Sequence, residues 1–236
     1  MHLTHCTSGG GCIEIMAELV LKPDHCRVYD ADLLYLFYGR PAFKPCSGLG
    51  SSTLTETAPV CLVLDPQVIR DAVRILPFDS GGFERYRPHL GPGLSLPQFE
   101  LAPSVDTPLR LIGAFFETTR NYYTQSPRPG HAPLISEREA SGYGRLIGDG
   151  SIADDDDRRG TIEVQVPAPV SLLEALRALI APAALLDDPA IKDALARCPD
   201  AVPLDYRTYG RASPEALSYP LYEHLERFLE KAEVFG

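Results

Sequence analysis

The chain has 236 residues, of which 44% are hydrophobic and 23% charged, and its formal net charge is −10. This length and composition are typical of one globular domain with its own core, and they exclude a disordered chain. No apolar run reaches the roughly 18 residues of a membrane span, and residues 1–11 lack the pattern of a secretory signal. We therefore expect no membrane association and a cytoplasmic location. The acidic excess disfavours a nonspecific nucleic-acid binder, which usually presents a basic face.

The six cysteines form no C-x-x-C pair, so we expect reduced thiols rather than a disulfide framework. The histidines and cysteines at 2, 5, 6 and 12 have the spacing of no common zinc site. The four aspartates at 154–157 could bind a cation, but a like-charge run is more often a solvated loop. No metal is expected, and the acidic run is expected to be exposed and mobile.

Periodicity and alternation predict a mixture of strands and helices in one domain, residues 1–236. The predicted strands are 3–7, 33–38, 60–64, 74–78, 161–166 and 202–206. The predicted helices are 11–19, 66–72, 108–125, 135–143, 172–179 (with a strand from Ile180 as the alternative end), 188–197 and 213–228, the last broken at Pro220. Segment 83–108 has little periodicity. Because the elements do not alternate as βαβ units, the fold class is α+β.

Two strands carry polar side chains where chemistry is plausible. Strand 33–38 stops at Gly39 and Pro41, and Arg40 between them could grip a phosphate or carboxylate, or form an ordinary surface ion pair. Glu163 lies in the middle of strand 161–166, on the same face as its polar neighbours two residues away. A glutamate there either faces solvent or is catalytic. The motifs G-x-S-x-G, H-E-x-x-H and the P-loop are absent, and six Cys with six His make a cysteine-protease pairing easy by chance.

Four short segments, in order, resemble the ADP-ribosyltransferases of the DarT type and, more broadly, NAD-using transferases with a His-Tyr-Glu site. They are His5-Cys6-Thr7 with the helix after it, 32–40 with its terminal Arg, 159–164 with its Glu, and 178–182. Segment 83–148 has no counterpart, and Tyr38-Gly39 precedes the Arg where the family often has Pro. The resemblance implies a single ADP-ribosyltransferase-like domain with a split antiparallel or mixed central β-sheet flanked by helices.

The resemblance also implies roles for individual residues, with NAD as the substrate. Glu163 would be catalytic, because a carboxylate stabilises the oxocarbenium-like ribosyl group and can deprotonate the acceptor. His5 would bind the adenosine-side ribose, Thr7 would fix the nicotinamide amide, and Tyr38 would stack on the nicotinamide ring. Arg40, also catalytic, would hold the pyrophosphate or orient the acceptor.

The implied function is a toxin or phage-defence effector that transfers ADP-ribose to a macromolecule, protein or nucleic acid, and that has an antitoxin or immunity partner. Two alternatives stay open: a catalytically inactive binding module on the same fold, and an NAD glycohydrolase. We expect His5, Tyr38, Arg40 and Glu163 to line one cleft. We also expect substitutions at Arg40 or Glu163 to leave stability unchanged.

Overall fold

A computed structural model describes residues 1–43, 50–131, 133–150 and 156–235, and it contains one large β-sheet. The strands are β1 (Leu3–Ser8), β2 (Val20–Leu21), β3 (Asp24–Cys26), β4 (Ala31–Tyr38), β5 (Pro59–Leu64), β6 (Arg74–Leu76), β7 (Glu163–Val166), β8 (Val170–Ser171), β9 (Leu176–Pro182) and β10 (Val202–Tyr206). The sheet runs in the order β10-β9-β5-β1-β4-β7-β6, and β3 pairs with β4, whereas β2 and β8 form a separate ribbon. Neighbours are antiparallel except β9 and β10, so the sheet is mixed.

Helices flank this sheet, which confirms the α+β prediction. They are α1 (Gly9–Glu18), α2 (Phe83–Leu90), α3 (Thr107–Phe115), α4 (Thr119–Tyr123), α5 (Arg138–Gly148), α6 (Leu172–Ala175), α7 (Ala183–Leu186), α8 (Pro189–Ala196) and α9 (Tyr219–Lys231). Short 3₁₀ turns occupy Pro66–Asp71, Ser80–Gly82 and Leu96–Phe99. Within the described ranges, no helix is long and apolar enough to cross a membrane.

Local sequence accounts for the first elements. The Ser8 side chain accepts a hydrogen bond from the Gly11 N–H and so caps α1. Glycine is required at position 9, because an added Cβ there would lie 2.2 Å from the Thr55 carbonyl oxygen. Directly after β4, Gly39 takes a φ of 70°, which suits glycine and ends the strand abruptly.

Both faces of the sheet are covered. The larger core packs α1, α2 and α5 against one face, with buried side chains such as Leu36, Leu62 and Val164. On the other face, α9 packs Leu225 and its apolar neighbours against Val63 and the rest of the β5–β9 pair. Cys61, Val63 and Leu64 are all 0% exposed, which confirms that β5 is a core strand.

The sheet opens between β1 and β4. These strands pair only at Leu3 with Tyr38 and at Thr4 with Phe37. From His5 onward β1 pairs with β5 alone, while β4 pairs with β3 and β7. The second half of β1 and the part of β4 before Phe37 therefore do not pair with each other.

Several predicted elements are wrong in type or extent. Residues 172–179 form only the single turn α6 before the chain enters β9, because β5 and β10 offer partners on both sides of this apolar run. Predicted helix 108–125 is interrupted after α3, where Glu117 takes a φ of 73°. Segment 83–108, despite its weak periodicity, contains α2 with Pro88 in its last turn.

Two other expectations need correction. Pro220 lies in the first turn of α9 rather than breaking a helix, because proline lacks only an N–H that the first turn leaves unpaired. Of the acidic run, residues 154 and 155 lie outside the described residues. Asp156 is not a solvated charge, since its side chain is 8% exposed and is ion-paired with Arg158.

Candidate functional site

Glu163 lies in a row of buried polar side chains on β7. Thr161, Glu163 and Gln165 share one face by strand alternation, as the sequence indicates, yet each is 0% exposed. The polar face of this strand is therefore covered rather than solvated. Burying a carboxyl group is costly unless neighbouring groups satisfy its hydrogen bonds, so its surroundings define a candidate site.

Two donors hold the Glu163 carboxylate. The Ser80 backbone N–H donates to Oε2 over 3.1 Å, and the Gln165 side-chain amide donates to Oε1 over 2.7 Å. The same amide contacts the Ser80 hydroxyl at 3.2 Å. On the far side of Gln165, Arg74 Nη1 donates to its Oε1 over 2.6 Å. With Asp79, which precedes Ser80, these residues are called the Glu163 cluster.

Burial and the neighbouring Asp79 together raise the pKa of the Glu163 carboxyl to about 8, despite the hydrogen bonds from Gln165 and Ser80 that oppose the shift. Arg158 forms an ion pair with Asp79 at 2.9 Å, and its backbone carbonyl accepts the Asp79 N–H. These two contacts with Arg158 hold in place the start of the 79–82 turn, which covers Glu163. A carboxyl group with such a pKa can exchange its proton near neutral pH, as a general acid or base requires.

His5 and Thr7 lie where β1 departs from β4, and strand alternation places both on the side of Leu3 and Tyr38, opposite Glu163. His5 Nδ1 is 3.1 Å from the Tyr35 carbonyl oxygen, which can only accept, so Nδ1 carries the proton and Nε2 is left as an acceptor. Burial lowers the pKa of His5, so the ring is neutral at pH 7. Thr7 is partly exposed on the same strand. β7 lies two strands away from β1, which places the Glu163 backbone about 10 Å from that of β1.

Tyr38 does not share the face of Glu163. Phe37 is the register partner of Glu163, and Tyr38, one residue further, points to the opposite side with Leu3. Its hydroxyl accepts a hydrogen bond from the Met1 amino group over 2.8 Å. Alternation brings two aromatic side chains to the Glu163 face, Phe37 and Tyr35, the register partner of Gln165; of the two, Tyr35 is partly exposed and Phe37 is buried.

Arg40 is a buried residue that joins segments of the fold. Its guanidinium donates to Thr161 Oγ1 over 3.2 Å and to the carbonyls of Tyr122 and Tyr123 in α4. Its Cζ also lies 5.2 Å from the Tyr222 ring centroid. The side chain is 2% exposed, so a phosphate cannot approach it without displacing these contacts. The expectation that its replacement leaves stability unchanged is not compatible with this burial.

The structure thus brings together a different set of residues from the predicted four. Glu163 contacts Gln165 and Ser80, and Gln165 contacts Arg74. Arg40 reaches Thr161 at one end of the same row of side chains, whereas Tyr38 and His5 lie on the opposite face. Gln165 could have been found from the sequence, because it alternates with Glu163 on one strand. Ser80 and Arg74 carry no such signal, since only tertiary pairing places them there.

Other parts of the molecule do not extend this cluster. Among the side chains that the structure describes, no group of three or more His, Cys, Asp or Glu is arranged to hold a metal ion. A cavity of about 520 Å³ lies between α7, α8 and β10, and one of about 220 Å³ lies between the end of α2 and α5. Glu163 lines neither.

Comparison with protein-family models, curated proteins and solved structures finds no significant match for the chain. The DarT-type resemblance accordingly rests on the residues quoted above.

Proposed function

We propose that this protein is an NAD-dependent ADP-ribosyltransferase with an ADP-ribosyltransferase-like fold, and that Glu163 is its catalytic carboxylate. The observation that supports this most is the buried, doubly hydrogen-bonded Glu163, whose pKa is raised to about 8. Cleavage of the nicotinamide–ribose bond develops positive charge on the ribose, and a preorganised carboxylate in a dry site stabilises such charge strongly.

We assign NAD binding to the opening between β1 and β4. His5 Nε2 can accept a hydrogen bond from a ribose hydroxyl, and Thr7 lies two residues further along the same edge. Both alternate to the face opposite Glu163, so NAD would have to pass through this opening to contact all three residues. Tyr35 takes the stacking role expected of Tyr38, because it shares the face of Glu163. Arg40 supports the site indirectly, by fixing Thr161 two residues before the catalytic carboxylate.

NAD can reach Glu163 only after part of its cover withdraws, because the side chain is 0% exposed. The 3₁₀ turn Ser80–Gly82 is that cover, since the Ser80 N–H is bonded to the carboxylate. A positive nicotinamide ring that takes the place of this N–H would favour the ionised form of Glu163. Substrate binding and ionisation of the carboxyl group are therefore coupled.

The closed cover also favours a second candidate, a binding module on this fold that does not turn over NAD. Incubation of the purified protein with radiolabelled NAD and cell lysate distinguishes the transferase from the binding module. A labelled macromolecule supports transfer, and its loss to protease or nuclease identifies a protein or nucleic-acid acceptor. Release of nicotinamide without a labelled product indicates a glycohydrolase. Absence of NAD binding and cleavage supports the binding module with an immunity-type partner.

A further inference from the structure

Arg74 ends a chain of hydrogen bonds that leads to the Glu163 carboxylate. A guanidinium can only donate, so the Gln165 side-chain atom 2.6 Å from Arg74 Nη1 is the amide oxygen. The amide nitrogen must then face the other way, toward Glu163 Oε1 at 2.7 Å and the Ser80 hydroxyl. The orientation of the Gln165 amide is thus fixed by Arg74 and not by the carboxylate alone.

The Arg74 guanidinium is itself held in place. Its Cζ lies 3.7 Å from the centroid of the Tyr29 ring, and its Nε is 3.2 Å from Glu100 Oε1. Arg74 is also the register partner of Gln165 across β6 and β7, which keeps the two side chains adjacent on one face. The Tyr29 ring, the Glu100 carboxylate and the strand register together restrict the position of the Arg74 guanidinium.

From these contacts we infer that Arg74 is a positioning residue that sets the charge state of Glu163 through the Gln165 amide. The inference concerns the residue to which the proposed function gives the catalytic role, and it rests on that proposal for its relevance to turnover. With Arg74 in place, the amide presents N–H to the carboxylate and favours its ionised form. Without Arg74, the amide is free to rotate by 180° and to present its oxygen, which favours the protonated form.

Other charged and titratable groups surround Glu163 and must be kept constant in a test. Asp79 approaches from the 79–82 turn and is paired with Arg158. Tyr29 and Tyr35 approach from the β3–β4 hairpin. None of these groups is itself replaced by substitutions at Arg74 or Gln165, although Tyr29 and Glu100 lose their contacts with the guanidinium when Arg74 is replaced.

The test is the pKa of Glu163, measured from the ¹³C signal of its side-chain carboxyl group, which is assigned by its disappearance in Glu163→Gln. We expect Arg74→Met and Gln165→Met each to raise this pKa by about one unit, the usual scale for loss of one hydrogen bond to a charged group. Arg74→Lys, which keeps a donor, should raise it less. Arg87→Met is the matched control, because Arg87 pairs with Glu84 on the exposed side of α2 and should leave the pKa unchanged.

The double variant Arg74→Met/Gln165→Met separates the relay from a direct charge effect. If Arg74 acts through Gln165, the double variant has the pKa of Gln165→Met alone. If its positive charge acts directly on Glu163, the two shifts add, and the inference is overturned. An unchanged or lowered pKa in Arg74→Met also overturns it.

Turnover distinguishes this inference from the proposed function. If the wild type cleaves NAD, the midpoint of its pH–rate profile should move upward with the measured pKa in Arg74→Met. Wild-type cleavage with no shift of pKa or midpoint would reject the relay while leaving the proposed function intact. A wild type that does not cleave NAD, but shows the expected pKa shifts, would support the relay and reject the transferase.

Discussion

The Ser80 backbone N–H lies 3.1 Å from Glu163 Oε2, so a turn distant in sequence by 83 positions covers the carboxylate of a buried strand. This contact links the stability of the fold to the protonation of one side chain.

Stability should fall with rising pH because of Glu163. Its pKa is about 4.5 when unperturbed and about 8 in the folded protein, so between these values the folded state holds a proton that the unfolded state has lost. Stabilisation is therefore complete below pH 4.5 and is lost as the pH rises toward 8, by at most about 5 kcal/mol. Urea titrations at pH 5 and pH 8 should show a smaller loss for Glu163→Gln than for the wild type. Equal losses would show that the carboxyl group is not perturbed.

Replacement of Arg40 should destabilise the fold. Arg40→Met removes hydrogen bonds to Thr161 and to two carbonyls of α4 from a buried position, which we expect to cost about 2–4 kcal/mol. Arg87→Met, on the exposed surface, should stay within about 0.5 kcal/mol of the wild type. Denaturant midpoints of the two variants provide the comparison. An Arg40 variant as stable as the control would mean that its contacts contribute nothing.

The core of β5 gives a matched pair of valine substitutions. Val63 is 0% exposed and packs against α9, so Val63→Ala should cost about 1–3 kcal/mol. Val105 is 45% exposed, and the same substitution there should have little effect. Thermal or urea unfolding of both variants tests the assignment of β5 as a central strand, and similar losses at both positions would reject it.

The elements that could be predicted from the sequence are those with strong local signals. The continuous apolar run of β5 and the Asp188-capped helix α8 follow from pattern and capping alone. The first half of strand β9 could not be recognised, because Leu172, Leu176 and Leu179 fit a helical period and only pairing with β5 and β10 decides otherwise. The alternative of a strand from Ile180 anticipated its end. Tertiary context there outweighs local propensity.

Part of the candidate site could be predicted from the sequence, because strand alternation is a local signal. The alternation of β7 identifies Glu163 and Gln165 as neighbours on one face, but it cannot tell a covered face from a solvated one. Tyr38 has the residue type expected at such a site, yet strand alternation directs it away from Glu163. Arg40 is also of the expected type, but its guanidinium is buried against Thr161 and α4. A motif therefore indicates which residues are suited to the chemistry, and the register of the sheet decides which of them meet.

The rate of NAD cleavage should depend on the ionised form of Glu163. We expect kcat/KM to rise through about pH 8 and then to level off, because the carboxylate and not the acid stabilises positive charge on the ribose. Initial rates from pH 6 to pH 10, with stability checked at each pH, define the midpoint. A rate that falls across this range would mean that the protonated form is the active one.

Nicotinamide release by Glu163→Gln, measured beside NAD binding, tests the catalytic role of Glu163 most directly. The variant keeps the shape of the side chain and removes its charge, so release should fall about 10²–10³-fold, while NAD affinity should change little because the positive charge develops after binding. Gln67→Glu, on the exposed Pro66–Asp71 turn, adds one negative charge elsewhere and should keep the wild-type rate. Wild-type nicotinamide release from Glu163→Gln would contradict the assignment of Glu163 as the catalytic carboxylate.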